Sequence, residues 1–275
     1  MPLYQAIILA IVQGLTEFFP VSSSAHLIVI PDFLNWNDGG LVFDVALHAG
    51  TLAAILLYFF RDWVQVIANG LGFSYRGSYP DENSRSLLWY LVFATIPGAL
   101  AGWKLDKYAE HAWRSPFIIG TAAILVAIYM AFSDRTPEQK TGLDQMNWRD
   151  AIVVGIAQAF ALVPGVSRSG STIATARFCR LDREAAARFS FLLSTPLIAG
   201  AVAKKFFDVH KAGGLPPDMR LPYAAGILVS AFVGLLVIAF FLRYVRRNSL
   251  AVFVWYRIIF GIIVIALAVF FRKGG

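Results

Sequence analysis

Two short stretches of this chain concentrate residues able to bind an anion and move a proton. The first runs Gln13-Gly-Leu-Thr-Glu17-Phe-Phe-Pro20-Val-Ser22-Ser23-Ser24-Ala-His26. Gln13 and Glu17 are four residues apart and share one helix face. An ionised carboxyl at the centre of an apolar helix costs about 2.5 kcal/mol or more in lipid, so Glu17 needs a partner or a wet cavity. Pro20 interrupts that helix, and the serines after it are residues that open a new one. The free N–H groups of such a helix start bind anions. His26 is the obvious titratable neighbour. The second stretch runs Pro164-Gly165-Val-Ser167-Arg168-Ser169-Gly170-Ser171-Thr172. Gly165 and Gly170 permit turns and a close ligand approach. Arg168 supplies a permanent charge and a planar fork of donors suited to phosphate. With the hydroxyls of Ser167, Ser169 and Thr172, this reads as an oxyanion cradle. The spacing of a Walker loop is absent.

The elements that position these residues must lie in a membrane. Of 275 residues, 58% are hydrophobic and 15% charged, and the mean hydropathy is +0.63. A soluble domain carries about 25% charged residues, so a soluble enzyme or a nucleic-acid binder is excluded. The net charge of +7 sits between apolar runs, as membrane-flanking loops require. A single cysteine, Cys179, rules out a disulfide scaffold. Six segments are apolar over the ~20 residues, or slightly fewer, that a crossing needs: Leu41–Phe60, Leu87–Trp103, Phe117–Phe132, Phe189–Phe206, Pro222–Leu242 and Ala251–Phe271. Two more, Leu3–Phe19 and Ala151–Val163, are cut short by proline and polar residues. Broken helices survive in lipid only where protein or a water-filled cavity satisfies the freed backbone. Leu3–Phe19 lacks the basic start of a signal peptide, so no cleavage is expected. Residues 61–85 and 133–150 read as polar loops.

The chain also repeats itself. Ile11-Val-Gln13 matches Ile156-Ala-Gln158, and Val21-Ser22-Ser23-Ser24 matches Val166-Ser167-Arg168-Ser169, both at an offset of 145. Gln158 is therefore the mate of Gln13, but Leu162 stands where the first half has Glu17. Each half contains three crossings, an odd number, so the halves must be inverted, with their broken helices meeting near the midplane. The expected fold is an all-α polytopic membrane protein with six transmembrane helices plus two re-entrant helical hairpins in an inverted repeat. Residues 1–132 form the first repeat, 133–150 the linker loop and 151–275 the second repeat, in a single membrane domain. Lys and Arg number 14 on the side opposite the termini and 9 on the termini side, which places the termini outside by the positive-inside rule. His48 reads as a packed helix–helix contact. His111 and His210 read as loop residues without a role, and Cys179 as inert.

The first motif resembles the (E/Q)-x-x-x-E region of the undecaprenyl-diphosphatase family, the bacitracin-resistance membrane phosphatases. The second resembles that family's P-G-x-S-R-S-x-x-T region, and the likeness runs nearly end to end, through Phe189-Ser-Phe-Leu-Leu-Ser-Thr-Pro196. Gln13 stands where many members carry Glu. The resemblance implies hydrolysis of undecaprenyl diphosphate to the monophosphate with release of phosphate, recycling the lipid carrier of cell-wall synthesis. It also implies residence in the bacterial cytoplasmic (inner) membrane, a site open to the extracytoplasmic side, and stimulation by magnesium or calcium. The expected catalytic residues are Glu17, Ser23, His26 and Arg168. Gln13, Ser22, Ser24, Gly165, Ser167, Ser169, Gly170 and Thr172 are expected to bind the head group. The cation would be held mainly by substrate phosphates, with Glu17 as its protein ligand. The expected partners are the polyprenyl diphosphate and membrane lipids, and no nucleic acid. Two routes stay open: attack by Ser23 with Glu17 or His26 taking its proton, or attack by a water that Glu17 or His26 activates. An inverted-repeat transporter or lipid flippase for a phosphorylated substrate is the alternative reading.

Overall fold

The structure, a computed structural model, describes residues 1–36, 39–77, 79, 81–110, 112–139 and 142–272, and the regular elements among them are all helical. Helix α1 (Leu3–Phe18) is followed by α2 (Ser23–Leu34), α3 (Gly40–Tyr58), α4 (Phe60–Gly70), α5 (Asp81–Glu110) and α6 (Pro116–Ser133). Then come α7 (Trp148–Ala159), α8 (Arg168–Phe178), α9 (Arg183–Lys211), α10 (Pro217–Val245) and α11 (Ala251–Arg272). Six of these, α3, α5, α6, α9, α10 and α11, are long and apolar enough to cross a bilayer. Five contain a predicted segment whole, and α3 ends at Tyr58, two residues short of the predicted Leu41–Phe60. The protein is a multi-pass membrane protein. Outward side chains fit that solvent: Leu228, Phe232, Leu236 and Phe240 form an exposed apolar stripe at four-residue spacing on α10.

Helices α1, α2, α7 and α8 have 16, 12, 12 and 11 residues. At ~1.5 Å per residue even the first reaches only about 24 Å, short of a ~30 Å hydrocarbon core. The backbone turns extended at Phe19 after α1 and at Val163, one short 3-10 turn after α7. Each following helix opens on a serine in the left-handed region, Ser22 at φ 78° and Ser167 at φ 70°. That conformation is strained for a residue with a side chain, so the surroundings must hold it.

Helix α9 forms the centre of the bundle. In its most apolar window 61% of residues are buried, against 28–39% for the other spans. Around it α1 packs on α10, α10 on α3, α5 on α7 and α6 on α11. Small residues let these backbones approach, as membrane helix pairs require. A Cβ on Gly120 of α6 would stand 2.8 Å from the Gly261 carbonyl of α11, and one on Gly261 would stand 2.7 Å from the Gly120 carbonyl.

On one face, ion pairs tie four connections together. Arg188 reaches Asp62 at 2.9 Å, Arg183 reaches Asp134 at 2.6 Å, and Arg246 reaches Glu184 at 2.6 Å. The stretch 61–85, read as a loop, carries the helix α4 instead and the start of α5. Its polar residues, which in sequence suggest a solvated loop, face inward. Asp62 pairs with Arg188, Gln65 exchanges two hydrogen bonds with the Tyr79 backbone, and Asn69 does the same with Tyr75. The stretch 133–150 likewise contains a 3-10 turn and the start of α7, where Asn147 and Asp150 form a reciprocal capping box. His210 belongs to the last turn of α9, and His111 lies outside the described residues.

Candidate active site

The two chain breaks meet inside the bundle. The Gly165 amide donates to Ser22 Oγ at 3.2 Å, and Ser169 Oγ donates to the Phe19 carbonyl at 3.1 Å. Beneath them runs Arg257 of α11, fully buried. Its guanidinium donates to the carbonyls of Pro20 (3.1 Å), Gly165 (2.7 Å), Val166 (3.1 Å) and Ala123 (3.2 Å). One side chain thus fastens both breaks to α6. A buried charge is tolerable only when its hydrogen bonds are made, and here carbonyls freed by the two breaks make them. In the sequence Arg257 lies inside the predicted crossing Ala251–Phe271, yet it counts only among the flanking charges; the structure places it within α11. An arginine nearly two turns inside a spanning segment is the signal that could have found it. Arg257→Met should strand four carbonyls, each worth about 1 kcal/mol of net bonding. We expect thermal denaturation in detergent to show a loss of about 3 kcal/mol or more.

Above this staple Glu17 collects partners from four helices. Its Oε1 accepts from Arg168 Nη2 at 2.6 Å. Its Oε2 accepts from Ser23 Oγ at 2.6 Å and from Gln13 Nε2 at 3.1 Å. His48 Nε2 lies 3.5 Å from the same oxygen. His48 is thus more than a helix–helix contact. Its Nδ1 faces the Asp44 carbonyl at 2.7 Å and donates there. Glu17's need for partners was legible in the sequence; which residue of α3 would face it was not.

A cavity of about 490 Å³ opens on this cluster. Glu17, Ser22, Ser23, Ser24, His48, Ser167, Arg168 and Ser169 line its polar part. Its apolar part lies between α5, α7 and α9, along Thr95, Gly98, Gly102, Leu162, Leu197 and Ala201, with Gln158 and Lys204 also on the wall. The start of α2 faces the cavity, and the Ser22 side chain caps none of its N–H groups, which leaves them for an anion. At the start of α8, Ser167 Oγ accepts from the Gly170 amide at 3.0 Å. The arrangement offers a hydroxyl with a proton acceptor in contact, a guanidinium and a helix start. Those are the parts of a nucleophile with electrostatic stabilisation of an oxyanion.

Five expected residues stand off this wall. His26 packs on the Phe260 ring, 4.3 Å between centroids. Its Nδ1 faces the Ser22 carbonyl and its Nε2 the Tyr256 hydroxyl, both at 2.7 Å. Nδ1 must donate to the carbonyl, so Nε2 accepts from the tyrosine, and no lone pair is left for a proton from Ser23. Its work in this geometry is to hold the first turn of α2. Gln13 is fully buried and braces Glu17 rather than reaching a head group. Thr172 is fully buried too, and bonds Ser190 Oγ at 2.6 Å and the Arg168 carbonyl at 2.7 Å. Gly165, at φ 96°, is needed for packing: a Cβ there would meet the Ile119 carbonyl at 2.4 Å. A Cβ on Gly170 would press on Ser167 and on Arg257, both within 3.3 Å.

A divalent cation held by the protein needs several hard oxygen ligands. Among the described residues no three of His, Cys, Asp and Glu group together, and both Glu17 oxygens already accept from neighbours. The donor set does not fit a cation cage.

Against known proteins, the chain matches the family described as Bacitracin resistance protein BacA over residues 6–263. It is 43% identical over 268 residues to a protein of Pelotomaculum thermopropionicum, covering 98% of this chain and 97% of that protein. It is 44% identical over 267 residues to one of Moorella thermoacetica, covering 97% and 98%. It is 46% identical over 266 residues to one of Gemmatimonas aurantiaca, covering 97% and 98%. All three relatives are named undecaprenyl-diphosphatase. The chain belongs to the bacitracin resistance protein BacA family.

Proposed function

We propose that this chain is an integral membrane phosphatase that hydrolyses undecaprenyl diphosphate to undecaprenyl phosphate and inorganic phosphate. It would thereby recycle the lipid carrier of peptidoglycan synthesis and confer bacitracin resistance. The carrying observation is Glu17 held between Ser23 and Arg168, at 2.6 Å on either side, in a cavity with an apolar extension. The names of the relatives fit that site. A diphosphate head belongs at the cationic end and an isoprenoid tail in the apolar one.

In the reaction we favour, Arg168 and the N–H groups of α2 bind the terminal phosphate. Ser23 Oγ attacks its phosphorus and Glu17 takes the hydroxyl proton. The bond from phosphorus to the bridging oxygen breaks, and its electron pair leaves on undecaprenyl phosphate. Glu17 passes that proton to the departing undecaprenyl phosphate. Water then attacks the phosphoserine and gives a proton to Glu17. The bond from phosphorus to Oγ breaks, and the Ser23 oxygen takes that proton from Glu17 as phosphate leaves. Hydrogen-bond contact between Ser23 and Glu17 favours this route over a water activated by His26, whose nitrogens are engaged. Charge stabilisation of the transferring group is the main catalytic term.

We place the protein in the bacterial cytoplasmic membrane, with the ion-paired, Arg-rich face inside and the cavity open to the extracytoplasmic side. Helices α1–α2 and α7–α8 would be re-entrant hairpins of an inverted repeat, 1–132 and 151–275 around the linker 133–150. Two features support the repeat. Ser22 and Ser167, 145 residues apart, share a left-handed backbone. And α1 lies on α10 as α7 lies on α5, the exchange of partners that a two-fold relation between halves requires.

A magnesium or calcium ion would enter with the substrate, bound mainly by diphosphate oxygens. Chelation should then lower turnover while the ligand-free protein keeps its melting midpoint. The decisive assay is phosphate release from undecaprenyl diphosphate by purified protein in detergent. Lipid translocation by reconstituted protein with no phosphate released would overturn the phosphatase reading in favour of a flippase.

A further inference from the structure

Gln158 is a buried polar group that the proposed reaction leaves unused. It sits on α7, is 1% exposed, and neither end of its amide has a hydrogen-bond partner. It lines the same cavity as Glu17 and Arg168. The first half of the chain explains why the amide is bare. Gln13, 145 residues earlier, gives its N–H to Glu17 one turn along the helix. One turn beyond Gln158 stands Leu162, which accepts nothing. Helix α5 keeps the amide uncovered as well: a Cβ on Gly98 would come 3.3 Å from Gln158 Nε2, and Gly98 has none. A buried amide without partners is destabilising unless a ligand completes it.

We propose that Gln158 binds the phosphate that stays on the lipid, the one shared by substrate and product. This rests on the phosphatase reading. Ser23 and Arg168 take the terminal phosphate. The tail must run into the apolar part of the cavity, past Gly98, Gly102 and Leu162. Gln158 lies on that part of the wall, so the phosphate between the scissile bond and the tail passes it. Nε2 donates to a phosphate oxygen, and Oε1 accepts from a water or a phosphate hydroxyl. This phosphate is the leaving group, but its non-bridging oxygens are charged before and after the bond breaks. A contact to one of them therefore acts mainly on the binding that substrate and product share and little on the chemical step.

The test compares wild type with Gln158→Leu and Gln158→Glu on three readouts: phosphate release from undecaprenyl diphosphate, inhibition by undecaprenyl phosphate, and ligand-free melting. In Gln158→Leu we expect KM and the product inhibition constant to rise together by about 10-fold, with kcat within about 3-fold. Gln158→Glu should raise both further, since a carboxylate faces a phosphate. The melting midpoint of Gln158→Leu should stay or rise, because no partner is lost. Unchanged KM and unchanged product inhibition in both variants would overturn the assignment. So would a lowered midpoint in both with product inhibition intact, which marks a structural residue. If wild type releases no phosphate, the phosphatase reading fails on its own. Thermal shift by undecaprenyl phosphate in wild type against the two variants then still decides whether Gln158 holds a lipid phosphate.

Discussion

Arg168→Ala should lower kcat/KM for the lipid diphosphate by about 10²–10³-fold, the effect of removing one preorganised donor from a developing oxyanion. The structure makes the upper end the better expectation. Arg168 is the first residue of α8, and its two terminal nitrogens do different work. Nη2 meets Glu17 at 2.6 Å, while Nη1 reaches back to the Ser190 carbonyl of α9 at 3.4 Å. The fork therefore positions the carboxylate, is itself positioned by the central helix, and keeps further N–H groups for phosphate. Arg168→Lys should recover little of the loss, because one ammonium cannot span a carboxylate, a carbonyl and a phosphate. Phosphate release at saturating and limiting substrate separates binding from turnover, and size-exclusion behaviour in detergent confirms that the variants fold. Wild-type turnover in either variant would remove Arg168 from the reaction. Loss of activity also in Arg168→Lys, with the melting midpoint retained, separates a geometric role from a purely coulombic one.

The fold was largely legible because lipid imposes so few solutions. Six long apolar runs had to be crossings, and the two runs ended by Pro20 and Pro164 had to stop short. Polar residues in apolar company, Glu17 and Arg168, had to find one another or water. What escaped the sequence was direction. A polar residue on a short amphipathic helix reads as solvated, so α4 reads as a loop although Asp62, Gln65 and Asn69 face inward. His26 follows the first motif, while His48 lies on the next crossing. Periodicity does not say which ring turns to Glu17 and which to Tyr256. Arg257 is 92 residues beyond Gly165, and only the packing of α11 on α6 brings it under both breaks. Hydroxyls and glycines in a motif read as ligands; the structure shows Thr172 bonded to Ser190 and the Arg168 carbonyl, and Gly165 and Gly170 packed without room for a Cβ.

Glu17→Gln should abolish hydrolysis, by about 10³-fold or more, without loss of expression. The amide keeps the shape of the side chain and can still accept from Ser23, but it cannot take a proton, and general-base catalysis contributes about 10²–10⁴-fold. It also leaves Arg168 facing a neutral group, so the guanidinium is no longer aimed by an ion pair. Ser23→Ala distinguishes the two chemical routes. If Ser23 Oγ attacks phosphorus, Ser23→Ala, Glu17→Gln and the double variant should all fall to a similar residual rate, because the pair acts as one unit and its effects do not add. If Glu17 activates a water instead, Ser23→Ala removes only one hydrogen bond to the carboxylate and should cost far less than Glu17→Gln. A double variant much slower than either single one would show Ser23 and Glu17 acting independently, which their 2.6 Å contact argues against. Rapid-quench detection of phosphoserine on the wild-type enzyme should agree with the first pattern and be absent under the second.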